Sequence, residues 1–275
     1  PDGLRLTGVD APGASQFEAA TDRCSVQIGK SRVEHVTARE EGPSRYALHA
    51  EANGLAADLS FSGIVPPWRP GAGKNYYASD LSRSFAWLPA IPFGSVSGSL
   101  TYQGMTHRVS GTGYHDHNWG NIGLNDVMSH WYWGRAHIGD YTVIYVEMVS
   151  NAAYGGVKLP VFLLAKGDRI LTGDGSPLVL QTGDEVRHAG GRRYPNHLNW
   201  TWETAAGAVK IALRNPRVIE ATSLLTLLPG WKRGLARLVA NPYYFRFNAE
   251  MELTVDFGTA EVMRGPALYE LMLLK

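Results

Sequence analysis

An all-β fold of two antiparallel, barrel-like halves with few short helices is what this sequence predicts, and three observations carry the prediction. First, Gly 31 and Pro 15 are spread along the 275 residues and punctuate runs of roughly five to ten residues that are β-branched, aromatic or alternating. Second, tight-turn residues join several of those runs: Gln103-Gly104, Gly139-Asp140 and Lys166-Gly167-Asp168 each suit a hairpin. Third, so many short strands at regular spacing fit sandwiches or barrels, and closing a barrel removes the edges that template aggregation.

Taken in order, the alternating run CSVQI predicts a strand over 25–28, with Cys24 a small core or strand residue at its start. Strands at 32–37, 45–51 and 57–63 follow, where branched and aromatic residues alternate with polar ones. VPPWRPGAG over 65–73 is a loop, because proline and glycine dominate it. Strands at 85–91, 95–102 and 106–113 complete the first half. The segment 120–130 connects the halves and sets the domains at 1–125 and 126–275. The second half holds strands at 131–137, 141–150, 161–165, 169–172, 178–181, 197–203, 209–213, 218–225, 244–256 and 268–273. One helix is expected, over WKRGLARLV at 231–239, where Trp231, Leu235 and Leu238 share a face that could cap a barrel mouth. The opening PDG has neither an initiator Met nor a signal-peptide pattern and reads as a processed or truncated start, so strands are expected to precede it.

Composition narrows the function classes. Apolar residues at 44% against 19% charged argue for a compact chain that buries a core, not a disordered one. Lys+Arg 26 against Asp+Glu 25 leaves a net charge of +1 with no basic block, so nucleic acid is not an expected partner. A single cysteine builds neither a disulfide framework nor a thiolate zinc site. No apolar run reaches the roughly 18–20 residues of a membrane span. The sequon Asn199-Trp200-Thr201 lies inside a strand-like run, where glycosylation is not expected. Serine-nucleophile elbows, zincin motifs, phosphate loops and dinucleotide fingerprints are missing from the sequence, which leaves acid, base, shape or metal to carry any chemistry.

One segment concentrates functional side chains. GTGYHDHNWG, residues 111–120, packs two His, one Asp, one Asn, one Tyr and one Trp into a strand-like context, which is costly if buried. Period-two alternation puts Tyr114, Asp116 and Asn118 on one face and His115, His117 and Trp119 on the other. A carboxyl group drawn into an apolar cavity has its pKa raised by desolvation and can deliver a proton to an alkene or carbonyl; Asp116 would be that acid, oriented by Tyr114. Alternatively, His115 and His117 could begin a metal site, although no third ligand is identifiable. The same polar groups could also satisfy the backbone at a bend. Downstream, WYWGR sends Trp131, Trp133 and Arg135 to one face, where the guanidinium could stack on indole or pair with Asp116.

GTGYHDHNWG followed by SHWYWGRA resembles the lipocalin-like superfamily of carotenoid 1,2-hydratase and the AttH-like proteins, to which lipocalin-like Diels-Alder cyclases are related. The resemblance implies two lipocalin-like β-barrel domains packed together, a hydrophobic pocket near their junction, and no cofactor. It also implies that Tyr114 and Asp116 match a Tyr-x-Asp pair of the hydratases, Asp116 as proton donor, with Trp87 in the region of a third residue, a Trp. The pocket would be lined by Trp87, His115, His117, Asn118, Trp119, Trp131, Trp133 and Arg135. The implied activity is a cofactor-independent hydratase or cyclase, of the lyase or isomerase class, acting on a hydrophobic polyene or terpenoid. Two alternatives stand beside it: a Diels-Alder type cyclase that works by folding its substrate, and a non-catalytic carrier of a lipophilic small molecule. Cytoplasmic or membrane-peripheral placement is expected, the latter for access to the substrate.

Overall fold

The computed structural model describes residues 6–36, 42–77, 79–227 and 242–274, and it is built almost wholly of antiparallel strands. The strands of the first sheet are β1 (Phe17–Ala19), β2 (Ser25–Ile28), β3 (Ser31–His35), β4 (Arg45–Ala52), β5 (Leu55–Gly63), β6 (Lys74–Tyr76), β7 (Ser84–Tyr102) and β8 (Met105–Gly120). A short helix, α1 (Leu124–Val127), leads into β9 (Met128–Ile138), β10 (Tyr141–Ser150), β11 (Lys158–Lys166), β12 (Arg169–Thr172) and β13 (Val179–Arg187). The chain continues through β14 (Arg193–Thr204), β15 (Gly207–Ser223), β16 (Tyr243–Asp256) and β17 (Ala260–Leu273). By contacts the chain forms two compact units: residues up to Trp68 with Pro89–His117, and Arg69–Leu88 with Asn118 onward. The helix expected over 231–239 lies outside the described residues. Among those residues, no helix is long and apolar enough to cross a membrane.

The first sheet runs β1-β2-β3-β4-β5-β7-β6, with β8 also paired to β7. Its turns follow from local chemistry: Gln103 and Gly104 both adopt positive φ, at 51° and 75°, as a two-residue hairpin with the twist of its strands requires. Two predicted strands, 85–91 and 95–102, are one continuous β7. Pro89 and Pro92 separate them in sequence, yet they fall between the ladder with β6, at residues 84–86, and the ladder with β5, at residues 94–101. A residue without an N–H costs little there. The strands β1 and β6 were not anticipated, since both are three residues long with every residue exposed. His115 of β8 lies 4.6 Å, ring to ring, from Tyr46 of β4, which is not a neighbouring strand, so the first sheet curls on itself.

The second sheet has nine strands in the order β12-β11-β10-β9-β17-β16-β15-β14-β13. It rolls up around an apolar interior: Tyr145 of β10 meets Trp200 of β14 at 5.3 Å, and Phe162 of β11 meets Trp202 of β14 at 5.8 Å. Trp200, Tyr145, Tyr269, Phe162, Phe245 and Phe247 are each below 2% exposed. The alternation that buries them is continuous along β16, where every second residue from Tyr243 to Val255 is buried. The runs predicted at 209–213 and 218–225 join as β15, with a register shift between Arg214 and Arg217 where Asn215 takes φ 51° ahead of Pro216. A bulge absorbs the proline that suggested a break. Cys24 is half-buried, and burial pushes its thiol pKa up, as suits a packing residue.

Candidate functional site

The motif residues stay extended. β8 continues through Gly120, seven residues past the predicted end at 113, so strand alternation governs the whole of GTGYHDHNWG. Gly113 permits this: a Cβ there would lie 2.6 Å from Val96 Cγ2 and 2.7 Å from Phe61 Cε1, so only glycine lets β8 pass this close.

Beyond Gly113 the two faces of β8 separate. Tyr114 Oη donates to Asp116 Oδ2 at 2.9 Å, which fixes the two side chains on one face, two residues apart, and both are half-buried. On the other face the His115 ring packs edge-on against Tyr46 at 4.6 Å and lies 6.5 Å from Phe61, while Tyr46 in turn meets His35 at 4.9 Å. Burial pushes the His115 imidazole pKa down; the Asp116 charge opposes this and His117 adds to it. His115 is therefore a neutral ring in an aromatic cage. Tyr46 and Phe61, partners across β4 and β5, complete that cage, and nothing in the sequence around 114–119 points to them. Only strand pairing brings them together.

His117 and Asn118 are exposed, and Trp119 is 39% exposed. Among the described residues no three His, Cys, Asp or Glu side chains converge as a metal site would need. Tyr114 through His117 belong to the first unit, whereas Trp87, Asn118, Trp119, Trp131, Trp133 and Arg135 belong to the second. Trp87 is half-buried, and its backbone N–H donates to Gly73 at 3.3 Å. Along β9 the alternation holds: Tyr132, Ala136 and Ile138 turn to the apolar interior of the second sheet, so Trp131, Trp133 and Arg135 share the other face. Trp131 packs against a separate cluster formed by Val127, Met128 and Leu274.

An open groove of about 460 Å³ lies on the first sheet, with Arg32, Glu34, His49, Asp58, Ser60 and Arg108 on its walls. His49 Nδ1 and Asp58 Oδ1 are 2.6 Å apart across the β4–β5 ladder. Arg108 shares the alternation parity of Tyr114 and Asp116, six residues before Tyr114, or about 20 Å along an extended strand. This polar groove is thus remote from the Tyr114–Asp116 pair, although it lies on the same side of the strand.

Comparison with known proteins places this arrangement. A Diels-Alderase-like family model matches residues 56–190, which span β5 to β13 and include the whole of β8. The chain is 25% identical over 120 residues to a quinolone epoxide rearrangement protein of Penicillium thymicola, covering 43% of this chain and 32% of that protein. It is 24% identical over 185 residues to a hydroxyneurosporene dehydrogenase of Chlorobaculum tepidum, covering 65% and 42%. The chain thus spans less than half the length of these curated relatives. Among solved structures it is similar to kievitone hydratase of Nectria haematococca, with a TM-score of 0.56 at 14% identity over 90% of this chain and 70% of that one. It is also similar to an AttH-type protein of Nitrosomonas europaea, with a TM-score of 0.55 at 18% identity over 92% and 71%. These two likenesses concern the fold alone. The chain is thus similar to Diels-Alderase-like proteins over just under half of its length, and it shares the antiparallel two-sheet fold of the hydratase and AttH-type structures.

Proposed function

We propose that this chain is an enzyme of small-molecule biosynthesis that adds water to, or cyclises, a hydrophobic polyene or terpenoid, with Asp116 as the proton donor. The observation that carries the reading is the 2.9 Å hydrogen bond from Tyr114 Oη to Asp116 Oδ2 on a half-buried strand. It holds the carboxyl group in one orientation, as a general acid needs. In the forward step the Asp116 carboxyl gives its proton to one carbon of a C=C bond, whose π electrons form the new C–H bond. The cation left on the other carbon is captured by water, or by a second C=C bond of the same chain. The proton then released returns to the Asp116 carboxylate. Neutral His115 packs against Tyr46 and Phe61 on the opposite face of β8 and so anchors the strand that presents Asp116.

A second reading is favoured by the Diels-Alderase-like match over residues 56–190. Here the protein folds a flexible polyene into a near-attack conformer and Asp116 transfers no proton. The two readings part on one experiment: native mass spectrometry, with extraction, of protein from its producer or a pathway-reconstituted host, comparing wild type with Asp116→Asn. Product in the wild type and unreacted precursor in the variant supports the acid. Product in both supports substrate folding. The same unmodified lipid in both makes the protein a carrier and withdraws the catalytic role of Asp116.

A further inference from the structure

The interior of the nine-stranded sheet carries a second cluster of polar groups, separate from the Tyr114–Asp116 pair. Tyr145, Trp200 and Tyr269 are 0%, 1% and 1% exposed. Tyr145 Oη, Trp200 Nε1 and Tyr269 Oη are all buried, and none has a hydrogen-bond partner in the protein among the described residues. A buried donor without an acceptor is costly, and three in one interior is far from the usual satisfied state.

These three groups are also gathered. Gly134 of β9 pairs with Tyr145 on one side and Tyr269 on the other, so both tyrosines flank one glycine on the inward face. A Cβ at Gly134 would lie 2.3 Å from Tyr145 Cε2 and 2.5 Å from its Oη, so the Tyr145 ring leans into space that any other residue would fill. From across the interior the Trp200 ring comes within 5.3 Å of Tyr145. Tyr269 stacks on Phe247 at 4.5 Å. Burial drives both phenol pKa values up, so at neutral pH each hydroxyl keeps its proton. Two residues along β10, Glu147 is 6% exposed and pairs with Lys158 at 3.1 Å, while the charge of Arg135 acts on Tyr145 in the direction opposite to burial.

We infer that Tyr145, Trp200 and Tyr269 form a binding site for the carbonyl oxygen of a small, uncharged, ring-bearing molecule. The donors supply the hydrogen bonds, and Phe162 and Phe247 supply flat apolar walls. This site does not depend on the role of Asp116.

Acetophenone and its near-isostere α-methylstyrene, which lacks the oxygen, serve as probes in equilibrium titrations followed by Trp fluorescence. Wild type is expected to bind acetophenone at least about tenfold more tightly, as befits a site that hydrogen-bonds an oxygen. Tyr145→Phe and Tyr269→Phe should each erode that preference, whereas Asp116→Asn should retain it. Equal binding of the two probes, no saturable binding of either, or a preference that survives both Tyr→Phe changes overturns the site. Should a variant fail to fold, the wild type decides alone: the 13C line of carbonyl-labelled acetophenone should move downfield at saturation, and an unmoved or upfield line overturns the inference. Occupation by water only, seen as bound oxygen density with no probe uptake, overturns it as well.

Discussion

His115 shows how one side chain's surroundings set its chemistry. Its ring is caged by Tyr46 and Phe61, and burial depresses its pKa. His130 and His137 are shifted in the same direction, again mainly by burial. In the unfolded chain each imidazole takes up a proton near its ordinary value of about 6.5, but in the folded protein only at lower pH. Between those values the unfolded state binds more protons, so stability is full above about pH 6.5 and falls as the pH drops through that window. Urea midpoints measured from pH 7 to pH 5 should decline, and His115→Phe should reduce the slope without abolishing it, because His130 and His137 remain. At Gly134 the expected effect is steric. Gly134→Ala brings a Cβ to within 2.3 Å of the Tyr145 ring and should cost about 1–3 kcal/mol of unfolding free energy by urea titration. In activity, Asp116→Asn should lower turnover by roughly 10²–10⁴-fold if it is the acid. Tyr114→Phe, which removes only the orienting bond, should lower it less, and single-turnover rates would rank the two.

At the scale of an element, β8 and the hairpin that begins it are the parts that matter most. The turn Gln103-Gly104 sets which residues of β8 face which side, and Thr101 Oγ1 and Thr106 Oγ1 lie 2.8 Å apart across it. A one-residue slip would exchange the Asp116 face with the His115 face. Gly104→Ala forces a side chain into φ 75° and should cost about 1 kcal/mol. Loss of the Tyr114–Asp116 hydrogen bond does not follow from this change, so activity and urea stability should separate in that variant. Much of this element was legible: alternation puts Tyr114 and Asp116 together and His115 opposite, as the structure has them. Its length was not, because Gly113 resembles a strand end unless the neighbouring Phe61 and Val96 are known to fill the space beside it. The same blindness affects β7, where Pro89 and Pro92 look like breaks until the partner strands are in place.

The two units of the molecule are packed to different degrees. In the first, the buried apolar side chains among the described residues are Tyr46, Val65, Ala90, Ile91 and Phe93. The second holds the continuous aromatic and aliphatic core that runs from Ala136 to Leu271. Since burial of apolar area is the main favourable term, local opening should be easiest in the first unit. Hydrogen exchange followed by mass spectrometry should show β2 to β5 exchanging well before β10, β11 and β16; equal protection in both would contradict this packing argument. Charge pairs do not reverse that order. Lys30–Glu51, at the end of β4, is exposed and contributes little, whereas Lys158 pairs at 3.1 Å with the largely buried Glu147 inside the second unit.

The sequence by itself determined the strand-rich class, the hairpin turns and the facing of the motif residues, because each follows from rules acting over a few neighbouring residues. Backbone dihedral preference fixes Gln103-Gly104 as a turn, and a period of two fixes which of 114–119 point together. It also carried the resemblance to the lipocalin-like hydratases and cyclases, since Tyr114, Asp116 and the WYWGR run are local strings. Only the tertiary structure decided what surrounds those residues. Tyr46 and Phe61 reach His115, and Tyr145, Trp200 and Tyr269 gather about Gly134, through pairings between residues distant in sequence. Those pairings depend on which strands become neighbours as the sheets curl and bury their apolar faces, a choice made by the whole chain at once.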